Sequence, residues 1–336
     1  MNNIINALYF EIVKISKKHP NISRLSVALV RDGYLHNFFV WDNTKNTPTN
    51  FPKKKIGKDS NLGDIIISND ITVSGNHKSK MRLPFYISGN LLGVIYLNSK
   101  TEFFFQENFK EINNEVENLK KTLKENLLKY LSFKEKSYGI LIESQKKDIE
   151  TYKHLIRVKS YCYLLASEYE KRYSSEKINP FLISEYSTYH DIGKINIPDD
   201  ILLFTGKYSS EQRAIMNQHC QFGVQIIKNI IRDNNLNSID TQVMTNIILH
   251  HHERWDGHGY PKKLRGSEIP IEARIVTICD VFDALISKRP YKEPWPKDDA
   301  ISFIKSQSGK IFDPELVSIF VQKQNDMYSF YQEQMD

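Results

Sequence analysis

Apolar and polar positions alternate in the first hundred residues, whereas apolar residues recur every three or four positions afterwards. The apolar runs 25–30 and 35–41 flank an Asp-Gly turn, and the runs 81–87 and 91–98 flank a Ser-Gly-Asn turn. Each pair predicts a β-hairpin. Residues 1–18 show helical spacing and predict a short amphipathic helix before the first hairpin.

A long charged helix is predicted from about Glu107 to Leu131. Its apolar residues form one stripe at helical spacing: Ile112, Val116, Leu119, Leu123 and Leu127. Such a stripe packs either on its own domain or as a linker helix that also dimerises. From about 138 onward the pattern indicates helices broken by loops. We therefore expect a first domain over 1–135, including the linker helix from about 107, and a second domain over 138–336.

Composition adds few constraints. A chain of 336 residues has the length of two domains, and its net charge of +6 suits a phosphate-bearing ligand but is too small to indicate DNA. Three scattered cysteines, Cys162, Cys220 and Cys279, form neither a disulfide framework nor a thiolate zinc site. No signal peptide or membrane-spanning run is evident. The expectation is a cytoplasmic protein with no membrane partner.

Seven of the ten histidines fall between 154 and 258, which points to a metal site. Asp280 interrupts an otherwise apolar helix, where a carboxylate is costly to bury unless something pairs with it. Imidazole and carboxylate ligands together suit iron, manganese or zinc. The candidates oversupply one ion and favour two or three: Glu150, His154, His190, Asp191, His219, His251, His252 and Asp280. Among them, Asp191 is the expected bridge.

Two metals a few ångströms apart suit phosphodiester cleavage, because they lower the pKa of a water between them and hold the phosphate. The remaining phosphate charge needs cations, for which Lys194, Arg289 and Lys292 are candidates. An alternative for Arg289 and Lys292 is a solvated helix end. The loop 255–261 has two glycines, Gly257 and Gly259, and predicts a tight turn that offers amides to a ligand.

The order of these motifs resembles the HD-GYP family, a branch of the HD superfamily of metal-dependent phosphohydrolases. The matching stretches, between about Glu150 and Phe320, are HDIGK (190–194), His219, HHERWDGHGYP (251–261) and CDVFDALISKRPYK (279–292). The resemblance implies that the eight candidates above are metal ligands and that Asp191 and Lys194 take part in catalysis. It also implies an all-α helical bundle that binds substrate through Lys194, Gly257, Gly259, Tyr260, Pro261, Arg289 and Lys292.

Further implications concern the reaction. The family hydrolyses cyclic di-GMP to linear pGpG, and many members continue to GMP, by attack of a metal-activated hydroxide; some prefer cyclic GMP-AMP. The pair Glu150 and His154 resembles members with three metals, of which iron is expected first and manganese second. Tyr189 departs from the family, because an aliphatic residue is usual there. The alternatives are a slow cyclic-dinucleotide receptor acting through protein contacts, or another HD phosphohydrolase acting on mononucleotides.

The first domain resembles a GAF domain. The resemblance rests on the helix and hairpin at its start, on MRLPFYISGNLLGVIYLNSK (81–100) and on the Phe-rich step into a helix at 103–109. It implies an α+β sensor or a module that forms a homodimer together with the linker helix. The sequence thus predicts a multidomain chain: an α+β GAF-like domain, a long linker helix and an all-α HD-type helical bundle.

Overall fold

The computed structural model describes most of the chain in two compact units, residues 2–130 and residues 131–336, which are treated separately below. The described residues are 4–31, 34–42, 54–55, 62, 64–68, 77–87, 89–147, 152–173, 178–234, 241–288 and 293–333.

The first unit contains a six-stranded antiparallel sheet. Its strands, in the spatial order β3-β2-β1-β6-β5-β4, are β1 Ile22–Arg31, β2 Tyr34–Asp42, β3 Lys54–Lys55, β4 Ile66–Ser68, β5 Ser79–Ile87 and β6 Asn90–Ser99. Arg31 pairs with Tyr34 at one turn and Ile87 with Asn90 at the other, so both predicted hairpins are confirmed. Gly89 in the second turn has φ +80°, a conformation that favours glycine.

Helix α1, Ile4–Lys18, begins the same unit, as the spacing predicts. Its Leu8 and Ile12 are fully buried, like Leu25 of β1 and Leu83 of β5, because the alternating apolar positions face one core.

Helices α2, Phe104–Glu107, and α3, Phe109–Lys147, follow the sheet. All five residues of the predicted stripe on α3 are fully buried within the single chain: Ile112, Val116, Leu119, Leu123 and Leu127. Lys18 of α1 also forms ion pairs with Glu111 (3.2 Å) and Glu115 (2.6 Å) of α3. The stripe therefore packs inside its own chain and is not an open dimerisation surface.

The predicted end of this helix near 131 was wrong. Helix α3 continues without a break to Lys147, through the stretch where the sequence predicts the boundary between the two domains. The reason is that buried positions keep helical spacing past 131: Phe133, Ser137, Leu141 and Ser144 are 1%, 0%, 5% and 4% exposed. Gly139 alone does not interrupt this pattern.

The second unit is helical, and no strand follows Ser99 in the described part of the chain, which agrees with the all-α prediction. Besides the end of α3 it has two short 3-10 helices, Ile192–Asn196 and Gly266–Glu268. Its α-helices are α4 Tyr152–Arg172, α5 Pro180–Ser187, α6 Asp199–Leu202, α7 Ser210–Met216, α8 His219–Asp233, α9 Gln242–His250, α10 Ile271–Ile286, α11 Lys297–Ser306 and α12 Pro314–Glu333. In the portion that can be described, no helix combines the length and apolar character needed to cross a bilayer.

Helices α4, α5, α8, α9 and α10 pack against one another in the second unit: α4 on α5 and α10, and α9 on α5, α8 and α10. The 3-10 helix at 192–196 lies against α8, and the approach is very close at Gly193. A Cβ at Gly193 would collide with the carbonyl oxygen of His219 and the amide of Gly223. This glycine therefore lets the segment after Asp191 reach the start of α8.

Candidate metal centre

The His190-Asp191 pair lies in tight turns between α5 and the 3-10 helix. The Tyr189 amide donates to the Tyr186 carbonyl (3.0 Å), and the Tyr189 carbonyl accepts from the Ile192 amide (3.1 Å). His190 is fully buried, and its Nδ1 lies 2.8 Å from the Ser187 carbonyl oxygen. Because a carbonyl only accepts, Nδ1 carries the proton and the lone pair of Nε2 is directed away from the backbone.

Two further histidines are oriented in the same way. His219 at the start of α8 donates from Nδ1 to the Met216 carbonyl at 2.8 Å. His251 just after α9 donates from Nδ1 to carbonyl oxygens of α9, each at 3.1 Å. A backbone carbonyl that fixes one ring nitrogen leaves the other nitrogen as a ready metal ligand. Sequence reasoning named the histidines but not these orienting bonds.

The described candidate ligands converge in two groups. One comprises Asp191, His219, His251 and His252, the other His154, His190 and Asp280, and within each group the ligand atoms lie within 4.8 Å of one another. Five separate segments of the chain thus meet at one place. This is the convergence that the sequence predicts for these seven residues.

Asp191 lies between the two groups. Its Oδ1 is 3.3 Å from Nε2 of His219 and 3.6 Å from Nε2 of His251. Its Oδ2 is 3.2 Å from Nε2 of His190 and 2.8 Å from Nζ of Lys194. One carboxylate oxygen therefore faces each group, which is the arrangement a bridging ligand needs.

Asp280 completes the second group from α10. Its Oδ1 lies 3.6 Å from Nε2 of His154 and 3.8 Å from Nε2 of His190. Oδ1 of Asp280 and Oδ1 of Asp191 are buried, and neither accepts a hydrogen bond from the described residues. A buried carboxylate oxygen without a donor is costly, and a divalent cation would satisfy both. The residues present therefore fit metal ions.

The protonation states also suit metal ligands. Burial lowers the pKa of His219 to about 4 and lowers that of His252 well below its usual range, so both rings are neutral at pH 7. Burial alone would raise the pKa of Asp191, but the positive charge of Lys194, the first of the opposing causes, and hydrogen bonding by the neighbouring histidines hold the pKa well below normal. Neutral imidazoles around an ionised carboxylate form a metal-binding set.

A thiolate does not belong to this set. The Sγ of Cys220 lies 3.4 Å from Nε2 of His219, but burial raises the pKa of the Cys220 thiol far above neutral. The thiol therefore stays protonated, and only nitrogen and oxygen ligands remain. Such a donor set suits iron, manganese or zinc in an exchangeable site.

A buried carboxylate missed at the sequence level holds His154 in place. Asp283 is fully buried and lies 2.7 Å from Nδ1 of His154. It also accepts from Nε (2.7 Å) and Nη2 (2.8 Å) of Arg157. Burial would raise the pKa of Asp283, but these bonds outweigh it and lower the pKa to about 2. The sequence contains a signal for this pair. Arg157 follows His154 by one helical turn and Asp283 follows Asp280 by one helical turn, so each shares a helix face with a candidate ligand.

The glycine-rich loop packs on the ligands through Tyr260. The Tyr260 ring stacks on His252 with centroids 4.8 Å apart and planes at 29°. The Tyr260 amide donates to the His252 carbonyl (3.2 Å) and the Gly257 amide to the Arg254 carbonyl (2.8 Å). These two amides therefore fold the loop back on the chain, and the expectation that the loop offers amides to a ligand stays a prediction for its other amides.

Glu253 and Gly259 secure this loop. Both carboxylate oxygens of buried Glu253 accept backbone N–H groups, from Lys262 (2.7 Å) and Leu264 (3.1 Å). A Cβ at Gly259 would collide with the backbone of Glu253 and Arg254, so glycine is required there. The loop is thus tied to the turn that carries His251 and His252.

Of the remaining predicted site residues, some lie within the described part of the chain and others lie outside it. Lys194 lies beside Asp191, with its Nζ 2.8 Å from Oδ2, and Pro261 follows Tyr260 in the loop. Glu150, Arg289 and Lys292 lie outside the described residues, so their predicted roles stay predictions.

Part of the second unit matches a known protein family. Residues 162–316 match the protein family described as the HD domain. The matched stretch is somewhat under half of the chain, and His154 lies just before it. Apart from His154, the candidate ligands of both groups lie within the matched stretch.

Three curated relatives are similar to this chain. A cyclic di-GMP phosphodiesterase of Thermotoga maritima is 37% identical over 219 residues, which are 65% of this chain and 57% of that protein. The 3'3'-cGAMP-specific phosphodiesterase 2 of Vibrio cholerae is 39% identical over 189 residues, 56% of this chain and 34% of the relative. The cyclic di-GMP phosphodiesterase response regulator RpfG of Xanthomonas campestris is 44% identical over 136 residues, which are 40% of this chain and 34% of that protein. The chain thus spans from about a third to somewhat over half of their lengths.

Proposed function

We propose that this chain is a metal-dependent phosphodiesterase of the HD-GYP type that hydrolyses cyclic di-GMP to linear pGpG and onward to GMP. The observation that carries the proposal is Asp191, whose two oxygens face two groups of nitrogen and oxygen ligands. The HD-domain match and the names of the relatives support the same activity. One relative is named for 3'3'-cGAMP, so this dinucleotide is the second substrate to test.

Divalent ions held in such a site would polarise the phosphate of the substrate and lower the pKa of a water molecule. The chain's own residues would hold these ions and complement the phosphate. Lys194 places a cation 2.8 Å from Asp191 at the edge of the ligand groups, where it can neutralise a phosphate oxygen. The neutral rings of His219 and His252 keep their lone pairs for binding. Asp191 and Lys194 are accordingly the proposed catalytic residues.

We propose that the site holds three metal ions, with iron preferred and manganese as the alternative. The group of Asp191, His219, His251 and His252 accounts for one ion, and the group of His154, His190 and Asp280 for a second. Glu150 precedes His154 by four residues and would add the ligand that a third ion requires. Gly257, Gly259, Tyr260, Pro261, Arg289 and Lys292 are proposed to line the substrate site.

We further propose that residues 2–130 form a GAF-like sensor and that the protein acts in the cytoplasm as a homodimer. The antiparallel sheet with a leading helix supports the first part of this proposal. A dimer would need a surface other than the stripe on α3, because that stripe is buried within one chain.

The test uses the full chain, purified without oxygen and loaded with Fe²⁺ or Mn²⁺. Cyclic di-GMP, 3'3'-cGAMP and a panel of mononucleotides are offered, and products are followed by chromatography. We expect linear dinucleotide first and mononucleotide later, with no turnover in Asp191→Ala. Tight binding of cyclic di-GMP without product over hours would instead identify a receptor. Turnover of mononucleotides alone would identify a different HD phosphohydrolase.

A further inference from the structure

Helix α3 contacts Tyr189, the residue before the His190-Asp191 pair, and neither metal binding nor the glycine-rich loop explains this contact. The Oγ of Ser137 on α3 lies 3.1 Å from the hydroxyl of Tyr189. Ser137 is fully buried and Tyr189 is 5% exposed, so this hydrogen bond is sealed from water. A buried bond of this kind fixes the rotamer of Tyr189.

The backbone of Tyr189 flanks both metal ligands. Its amide closes the turn that begins at Tyr186, and its carbonyl closes the turn that ends at Ile192. His190 and Asp191 lie inside the second of these turns. A shift of Tyr189 would therefore move both ligands together, and Asp191 is the residue that faces both ligand groups.

An ion triad lies beside this contact and joins three helices. Glu185 on α5 pairs through one oxygen with Lys134 of α3 (3.1 Å) and through the other with Lys159 of α4. Burial would raise the pKa of Glu185, but the two lysines outweigh it and lower the pKa. Helix α4 also carries His154, and α5 leads directly into Tyr189. The triad thus ties both ligand-bearing helices to α3.

We propose that Lys134, Ser137, Lys159, Glu185 and Tyr189 form an α3 clamp, a set of positioning residues that fixes the spacing between the two ligand groups. None of them touches a ligand atom in the described structure, so the clamp acts through the turns at Tyr189 and through α4. The inference rests on the proposed metal centre and deepens it. Metal ligands must be held within a few tenths of an ångström, so small displacements weaken binding.

The test compares Tyr189→Phe, Ser137→Ala and the double variant in the full chain. We expect each to weaken Mn²⁺ binding about tenfold, the lower end of the losses seen when outer partners of ligands are removed. The double variant should lose no more than either single variant, because both remove the same bond. The EPR spectrum of the Mn²⁺-loaded protein should change as well, because it reports the spacing of coupled ions.

The matched control is Tyr169→Phe. Tyr169 is 2% exposed and lies on α4 about four helical turns beyond His154. Melting of the metal-free proteins separates the two effects. Tyr169→Phe is expected to retain wild-type metal affinity whatever it does to the melting temperature, whereas Tyr189→Phe loses affinity beyond any loss of stability. Equal losses of affinity in the two variants would overturn the clamp.

The triad is tested by Glu185→Gln, and by Lys134→Met in case Glu185→Gln does not fold. Lys134→Met keeps the aliphatic stem on α3 and removes one charge. Both variants are expected to weaken Mn²⁺ binding, and unchanged affinity and EPR spectrum in Lys134→Met and Tyr189→Phe would refute the inference. If the wild-type chain itself binds fewer than two ions, the proposed function fails. Wild-type binding that Tyr189→Phe leaves unchanged contradicts the clamp alone.

Discussion

Asp283→Asn is the substitution that separates ligand orientation from folding. Asp283 is fully buried and accepts bonds from two nitrogens of Arg157 and from Nδ1 of His154. Asparagine has the same shape but no charge and only one acceptor oxygen. At least one of the three bonds is therefore lost, because Oδ2 alone accepts two of them, and the charge of Arg157 stays buried without compensation.

The size of the effect follows from these contacts. A hydrogen bond to a charged group contributes about 1.5–3 kcal/mol, and breaking a buried ion pair costs about 3–5 kcal/mol. We therefore expect Asp283→Asn to lower the free energy of unfolding by about 3–5 kcal/mol. His154 also loses the charged carboxylate that orients its ring, so the affinity of the His154, His190 and Asp280 group for metal should fall about 10- to 100-fold.

Urea unfolding of the metal-free protein and elemental analysis of the loaded protein measure the two effects. Asp313→Asn is the matched control, because buried Asp313 pairs with Arg274 at 2.5 Å and makes no contact with a ligand among the described residues. We expect the control to lose stability but keep its full metal content. Full metal content in Asp283→Asn as well would refute the orienting role.

Three further predictions concern the same unit. In metal-free protein, the folded-state pKa of Glu185 lies below its ordinary value of 4.5, so its stabilisation is present above about pH 4.5 and is lost as the pH falls through the folded-state pKa. Urea midpoints of Glu185→Gln should therefore lie below wild type at pH 7 and approach it in acid; a constant gap would contradict this. Tyr260→Leu removes the ring stacked on His252 and should weaken metal binding about tenfold in a Mn²⁺ titration, whereas Tyr260→Phe keeps the stack and should match wild type. Glu150→Ala should lower the metal content by about one ion per chain in elemental analysis without unfolding the protein, and an unchanged count would remove Glu150 from the ligand set.

Much of the fold was predictable because local patterns decide it. The Asp-Gly and Ser-Gly-Asn turns specify both hairpins, and alternation specifies the faces of β1 and β5. The end of α3 was not predictable in the same way. Ser137 is polar and Gly139 is a weak helix former, and only tertiary contacts such as the Ser137–Tyr189 bond show why the helix continues.

The candidate site was predictable as a set of residues but not as a geometry. Histidines and aspartates in a characteristic order predicted the seven candidate ligands that the structure brings together, since each is chemically conspicuous. Their division into two groups, and the position of Asp191 between them, depend on contacts between distant segments. The supporting residues Arg157 and Asp283 each follow a candidate ligand by one helical turn, but only the packed helices show that they pair with each other and that Asp283 also contacts His154.

Metal content and turnover measured on one preparation test the central claim most directly. The full chain is purified without oxygen, its iron and manganese are counted per chain, and its hydrolysis of cyclic di-GMP is followed by chromatography. The account predicts at least two ions per chain and conversion to the linear dinucleotide, with both reduced in Asp191→Ala. A wild-type protein that hydrolyses cyclic di-GMP with no bound metal, or an Asp191→Ala variant that retains full activity, would contradict it.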